Sequence, residues 1–589
     1  MEAYTIKLEK YNNQLISLKA THKSVSIARL TIALVFFAAI YLYSAGPTIA
    51  MVVIVGALLS FVYFMKRHQI LSAQIEITKA LISINQNEID FLNGKKEIFD
   101  TGEQYRNHEN LYAYDLDIFG PQSLYEHIER TATFMGGKKL ANLLQSSLSA
   151  EKIPLNQQSI KELATKIDWR QNILATGMVN MDSEQLYSRL KLWCKNEQHA
   201  PDKNLNAISY IMPSLLFAAA ILYFYLGNVV FKNMCYALVT INLIIIGAYV
   251  KRIKHLIEGI DKIHKTISQY GLILEQIENE KFESIQLKNL QAELTKKNTK
   301  ASGQIKKLAI LFSQMENIQN AFGAALMNGL FLYHIRVYNN LLKWHKENAS
   351  SIGKWLSIIG EIETLNSLAN FSFNNPLYTF PELNANHIIT FNQLGHPLIH
   401  SEKRICNDVN FENQKLMIIT GSNMSGKSTF LRTLGVNMVL AGIGAPVCAT
   451  KANIHPLDII VSMRIDDSLS DSESYFFAEV KKLQKIMQML ETKSCFVLLD
   501  EILRGTNSDD KRSGTIEVIK KLVSKKAIGA IATHDLEVCL TKNEFPDYIV
   551  NQCFEVEIIN NELQFDYKLR EGVCKNKSAT FMMKKMGVI

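Results

Sequence analysis

The sequence predicts an α/β phosphate-loop (P-loop) domain towards its C-terminal end, preceded by all-α segments and by two membrane-crossing helical hairpins. Three observations carry this. An apolar strand, Leu416-Met417-Ile418-Ile419, runs into the glycine-bounded loop Thr420-Gly421-Ser422-Asn423-Met424-Ser425-Gly426-Lys427-Ser428-Thr429. A second apolar strand, starting at Cys495, ends in Asp500-Glu501. Two pairs of nearly uncharged apolar runs, 27–43 with 48–65 and 208–226 with 234–250, are each joined by a short turn.

The loop fits the spacing G-x-x-x-x-G-K-[ST]. Gly421 and Gly426 permit backbone conformations that side chains block, so consecutive N–H groups can converge on phosphates. The expected helix from Thr429 to about Leu440 offers its positive dipole end to the same anion. Lys427 is placed to reach the outer phosphates, and the Ser428 hydroxyl to bind magnesium. Asp500 is expected to hold the same ion and Glu501 to orient and deprotonate the attacking water. A third strand, 527–532, ends in Thr533-His534, which puts His534 where it can sense the terminal phosphate. The cofactors expected are therefore ATP and Mg2+, and the activity an ATP hydrolase.

Each apolar run is long enough to cross a bilayer core, though near the lower limit. Lys19, Lys23, Arg29, Lys66, Arg67, Lys251, Arg252 and Lys254 lie at the outer ends of the hairpins, with Lys232 the single exception. That distribution places the termini and large domains in the cytoplasm of a multi-pass protein of the inner (cytoplasmic) membrane. The opening stretch is amphipathic and charged, without the cleavage site of a signal peptide. Eight scattered cysteines with no C-x-x-C pair argue against zinc or a disulfide framework and for a reducing compartment. A net charge of +8 over 589 residues permits contact with nucleic acid or anionic lipid and requires neither.

The expected divisions are a cytoplasmic N-terminal helix (1–26), a first hairpin (27–66), a helical core (67–206) and a second hairpin (207–250). A helical lever or connector (251–385), the nucleotide domain (386–560) and its C-terminal segment (561–589) follow. Within the lever, 275–307 has the charge density of a long exposed helix or coiled coil. Pro376 and Pro381 mark the junction to the nucleotide domain.

These motifs resemble those of the MutS family. The loop is similar to the family's T-G-P-N-M-G-G-K-S-T, sharing Asn423 and Met424 beyond the general pattern. Gly395-His396-Pro397-Leu398 resembles R-H-P-V, Ala445 to Ala449 resembles Y-V-P-A, and Asp500 to Thr506 resembles D-E-I-G-R-G-T. Ala532-Thr533-His534 resembles A-T-H, and Ser474 to Glu479 resembles S-T-F-x-x-E. Weaker similarity covers 115–120, 128–133 and 363–369. The resemblance implies an ABC-type nucleotide domain and a homodimer through these domains, in which Ser474 completes the partner's ATP site. It also implies binding of double-stranded or branched DNA by the helical parts.

The departures are as informative. Nothing before residue 27 resembles the family's mismatch-reading G-x-F-Y-E, and the C-terminal helix-turn-helix extension is expected to be missing. Loop glycines become Ser425 and Leu503. The aromatic that stacks on adenine is replaced by Arg404, whose guanidinium can stack in its stead. The expectation is a membrane-anchored MutS-like ATPase that lacks mismatch reading, with lipid contacts through four spans. A transport ATPase half-molecule would instead show polar spans and L-S-G-G-Q before Asp500. A membrane scaffold that binds ATP without turnover would have no use for Asp500-Glu501.

Overall fold

The computed structural model describes all residues except 45–46, 199, 257–262, 296–298, 317–320, 465–474, 505, 560–561 and 576–589. The first hairpin is α1 (Glu2–Tyr41) and α2 (Pro47–Leu92). Both helices run past the limits predicted at 26 and 66, because a change from apolar to charged side chains does not interrupt the backbone ladder where Pro and Gly are absent. Short helices α3 (Leu124–Ile128), α4 (Phe134–Leu144), α5 (Lys152–Thr165), α6 (Ile167–Met178) and α7 (Glu184–Lys195) form the core region. The second hairpin is α8 (Lys203–Leu226) and α9 (Val229–Leu256). α1, α2, α8 and α9 are long and apolar enough to cross a membrane, and at most 22% of the most apolar stretch of each is buried.

The segment expected as one exposed lever helix is instead α10 (His264–Asn279), α11 (Ile285–Leu294) and α12 (Ala301–Glu316). Ile273, Ile277, Leu287, Ile305, Leu308 and Phe312 are buried, so the charge marks only the outer faces. The break after α10 has a physical cause. Phe282 turns inward against Trp169, with ring centroids 5.4 Å apart, and Gln291 donates to the carbonyls of Ile277, Glu278 and Glu280. Those are C-terminal carbonyls that a helix end leaves open. A short uncharged helix, α13 (Ala321–Phe331), then leads through Leu332 into α14 (Tyr333–Asn374), a rod of 42 residues.

α14 organises the helical region. Gly360 lies where a Cβ would come within 2.6 Å of the Met135 carbonyl, which lets α4 approach closely. Glu363, buried, accepts from the N–H groups of Ala132 and Thr133 at the start of α4. Burial raises its carboxyl to about 7. Near the far end of α14, Asn370 and Asn374 donate to the two carboxylate oxygens of Glu88 on α2, at 2.9 and 3.0 Å. Arg130 closes on the same carboxylate, and the Tyr4 hydroxyl of α1 donates to Asn374 at 2.7 Å. Glu88 and Arg130 are 2% and 6% exposed. A pair this buried is strongly destabilising to break, because the surviving guanidinium is left with the Glu129 carbonyl and the Phe91 and Phe99 rings in place of the opposite charge. Glu88→Ala is expected to lower stability by about 3–5 kcal/mol, read as a fall in the thermal unfolding midpoint; an unchanged midpoint would contradict the assignment.

After α14 the chain enters two sheets. One has the order β1 (Glu382–Leu383), β5 (Lys451–Ile454), β2 (Ile389–Leu394), β3 (Asn407–Asn410). The other has six strands: β10 (Glu562–Glu571), β9 (Ile549–Ile559), β4 (Leu416–Gly421), β8 (Ile528–Ala532), β7 (Cys495–Asp500) and β6 (Asp458–Ser462). β9, β4, β8, β7 and β6 pair in parallel, and β10 folds back on β9. β4, β7 and β8 are buried along their whole length, as continuous apolar runs in a two-sided parallel sheet should be. Among the described residues, the α-helices α15 (Lys427–Gly442), α16 (Tyr475–Thr492) and α17 (Ser508–Ser524) join these strands.

The helical and α/β regions are not separate cores. One buried cluster runs from Tyr112 through α14 to Phe554. The loop around Asp115 plugs into the α/β domain: Leu116 sits against Gly435 of α15, where a Cβ would come within 2.5 Å of it. Asp115 accepts from the backbone of Met463 and Arg464 and from the Lys482 ammonium.

Candidate functional site

The tips of β4, β7 and β8 converge, as parallel strands of an open α/β sheet do at their carboxyl ends. Residues 421–426 connect β4 to α15. Gly421, where a Cβ would lie 2.5 Å from Ser425 Oγ and 2.9 Å from the Phe554 carbonyl, admits no side chain. Gly426, at φ +102°, caps α15 in the left-handed region and leaves room for the Tyr567 ring above it.

Lys427 is 6% exposed. Its ammonium reaches the carbonyls of Gly421 and Ser422 at 2.9 and 3.0 Å, with His534 Nε2 at 3.5 Å. Burial lowers its pKa, and an anion placed beside it would favour the charged form that burial disfavours. Ser428 Oγ donates to Asp500 Oδ2 at 2.6 Å. Asp500 Oδ1, Ser422 Oγ and Ser425 Oγ are buried without a hydrogen-bond partner. Buried polar atoms are rarely left unpaired, and three of them within one loop and its facing carboxylate mark a place for polar guests.

Glu501 sits at φ +48°, a strained conformation for a residue with a side chain. Its N–H donates to the Ala532 carbonyl at 3.0 Å, and Arg504 braces the same turn through the carbonyls of Asp500 and Glu501. Glu479, 2% exposed, accepts from the Arg504 N–H at 3.0 Å. The carboxylate of Glu501 meets His534 Nε2 directly, and that hydrogen bond holds its pKa down at about 2. A carboxylate held so low is a poor proton acceptor while His534 stays on it.

A cavity of about 430 Å³ opens from this cluster. Asn423, Met424, Ser425, Gly426, Lys427, Ser428, Thr429 and Glu501 line it, together with His396, Lys403, Ile405 and Tyr567. Its volume suits a mononucleotide-sized ligand. Arg404 is not among the lining residues, contrary to the expectation that it stacks there. Its guanidinium turns inward to the Ile399 carbonyl, at 2.7 Å, and over the Tyr378 ring, through the space that Gly395 leaves open. Tyr567 holds the exposed position. A bulge between Phe565 and Leu569 breaks the β9–β10 register, and Asn407 pins it by donating to the Tyr567 carbonyl and accepting from the Leu569 N–H. The sequence reading missed Tyr567: residues 562–570 alternate polar and apolar without a break, so no local signal announces the bulge.

The structure thus brings together Lys427, Ser428, Asp500, Glu501 and His534 with the backbone of 421–429. Ser474 lies outside the described residues. The donor set fits magnesium on its own chemistry. Among the described residues no cluster of three or more His, Cys, Asp or Glu could hold a metal ion. Magnesium needs no such cage: it binds through one or two protein oxygens and fills its octahedron with water and phosphate, and Ser428 with the unpaired Asp500 Oδ1 offers that much.

Comparison with known proteins places this region. Residues 417–588 match the family model "MutS domain V". The chain is 32% identical over 253 residues to the DNA mismatch repair protein MutS of Finegoldia magna, an alignment covering 41% of this chain and 29% of that protein. It is 30% identical over 247 residues to the DNA mismatch repair protein MutS of Clostridium botulinum (strain Okra / Type B1), covering 40% and 26%, and 29% identical over 258 residues to MutS protein homolog 4 of Homo sapiens, covering 42% and 27%. The chain therefore spans less than a third of the length of these relatives, and the similarity supports a MutS-family relationship.

Proposed function

We propose that this chain is a membrane-anchored, MutS-like ATPase, in which binding and hydrolysis of ATP with Mg2+ switch a homodimer between conformations. The observation that carries the reading is that Lys427, Ser428 and Glu501 line one cavity, with Asp500 and His534 bonded directly behind them, and that Ser422 Oγ, Ser425 Oγ and Asp500 Oδ1 are buried there without a partner. Lys427 and the backbone of 421–429 hold the phosphates, Ser428 and Asp500 the metal. Glu501 positions the attacking water and becomes an effective base once His534 leaves it for the terminal phosphate. Ser474 of one protomer completes the other's site. The four apolar helices anchor the dimer in the inner (cytoplasmic) membrane with the nucleotide domains in the cytoplasm. The helical parts contact DNA, double-stranded or branched, without the mismatch reading of the repair proteins. The relatives favour this over a transport half-molecule.

Calorimetry with ATP–magnesium tests the first part: one site per protomer is expected, with dimerisation in light scattering on saturation. No heat of binding, or a strictly monomeric species, sinks the proposal. A gel shift with duplex, branched and mismatched DNA at several salt concentrations tests the DNA reading, because phosphate contacts are strongest at low salt; no shift at low salt removes it.

Tyr567 is the residue best placed to stack on the base. Tyr567→Ala is expected to weaken ATP binding by about 1–3 kcal/mol, the usual worth of one base–aromatic stack. Calorimetry of the variant checks this, and an unchanged affinity would remove Tyr567 from the site.

A further inference from the structure

The second hairpin carries a third apolar element, which rests on the membrane-anchored reading and extends it. α13 has 11 residues and no charged side chain. It packs on the hairpin: a Cβ at Gly329 would meet Val239 at 3.3 Å and Leu243 at 3.7 Å. Asn242, fully buried in α9, donates to the Gly329 carbonyl at 2.8 Å, and the Phe331 ring lies tilted against Phe217 with centroids 5.7 Å apart.

The level of this contact can be measured along the hairpin. An aromatic and basic rim marks one boundary of it. Arg336 lies over the Tyr210 ring and donates to the Ser209 carbonyl. Arg252 lies over Tyr249, which in turn meets Tyr338. Tyrosines and cations of this kind sit at a bilayer's interfacial level. From Tyr210 to Phe217, and from Tyr249 to Leu243 and Val239, the helices rise about 9–15 Å towards the hairpin tip. The C-terminal part of α13 therefore lies about 9–15 Å beyond the rim, within one leaflet of a hydrocarbon core of roughly 30 Å. Its outer face is apolar and open: Phe322 is 83% exposed and Leu326 53%. α13, at about 16 Å, is too short to span a bilayer.

We infer that α13 is embedded in the acyl chains of the cytoplasmic-side leaflet, continuous with the apolar surface of the second hairpin, and that it ties α14 to the membrane. The connection is direct. Only Leu332 separates the two helices, buried and held in the left-handed region at φ +48°, and Arg336 in the first turn of α14 donates to the Phe331 carbonyl that ends α13.

The test reconstitutes the full chain into vesicles whose lipids carry bromine on the acyl chains, and compares tryptophan emission in Phe322→Trp, Leu326→Trp and, as a control on α9, Ile244→Trp with the parent. The native Trp193, Trp344 and Trp355 are buried outside the hairpins and Trp169 lies in the core region, so the added signal is separable. The expected result is that most of the added emission is lost at all three positions, more strongly with bromine near the glycerol end than near the chain terminus for residues 322 and 326. If Ile244→Trp is quenched while both α13 variants are not, α13 lies outside the lipid and the inference is overturned with the anchoring left intact. If their unquenched emission is blue and shifts to the red on dilution, the occupant of this face is a second copy of the chain, which also overturns it. If none of the three is quenched, the anchoring reading itself fails.

Discussion

Glu501→Gln is expected to bind ATP–magnesium with parental affinity and to hydrolyse it about 10²–10⁴-fold more slowly, the usual worth of a positioned general base. The substitution is nearly isosteric and keeps an oxygen for the His534 contact, so the strained turn at φ +48° should survive. What it removes is the ability to accept a proton. The wild-type carboxylate is itself restrained, held at about 2 by His534. On the proposed function, turnover from this geometry needs His534 to swing away, and a terminal phosphate bound beside Lys427 would supply the reason for it to move. Steady-state phosphate release from the purified variant, alongside calorimetry, checks both halves. Parental turnover would falsify the role given to Glu501.

Gly529→Val is expected to disrupt the nucleotide domain altogether, well beyond the ~1 kcal/mol of a typical substitution. A Cβ at this position would lie 1.8 Å from the Val497 carbonyl oxygen, inside the β7–β8 pairing, where no flexible side chain can yield. β8 must then shift off β7. That shift carries away His534 at its tip and the Ala532 carbonyl that holds the Glu501 N–H. Gly529→Ala should fail similarly, because the first carbon already clashes. The thermal unfolding midpoint and ATP binding should both fall sharply in either variant; a parental midpoint would show that the close approach is not needed.

What the sequence disclosed follows from how local each signal is. β4, β7 and β8 are buried on both faces, so they read as unbroken apolar runs, and the loop glycines stand at fixed spacing. Asp500, Glu501 and His534 were legible because each ends such a strand. The hairpins were legible by length and lack of charge. Arg404 was misplaced because its direction depends on Gly395 and Tyr378, residues near it in space whose packing no local pattern announces. Tyr567 was missed because only the bulge pinned by Asn407, 160 residues away, turns it to the cavity. The charge of 275–307 concealed three helices, since Gln291 and Phe282 terminate α10 through contacts that composition does not encode. α13 escaped notice because it is too short to span and contains Gly323, Asn328 and Gly329.

On the membrane-anchored reading, the polar cluster at Glu88 acquires a mechanical meaning. From residue 27 back to Tyr4, and from residue 65 on to Glu88, the first hairpin stands about 35 Å clear of the bilayer. From Arg336 to Asn370, α14 covers about 51 Å. Two rods of unequal length that rise from one plane and join at one corner make a truss with the lipid as its third side. On the proposed function, movement of the nucleotide domain would be felt at the Glu88 corner or as a change in the spacing of the two hairpins within the lipid.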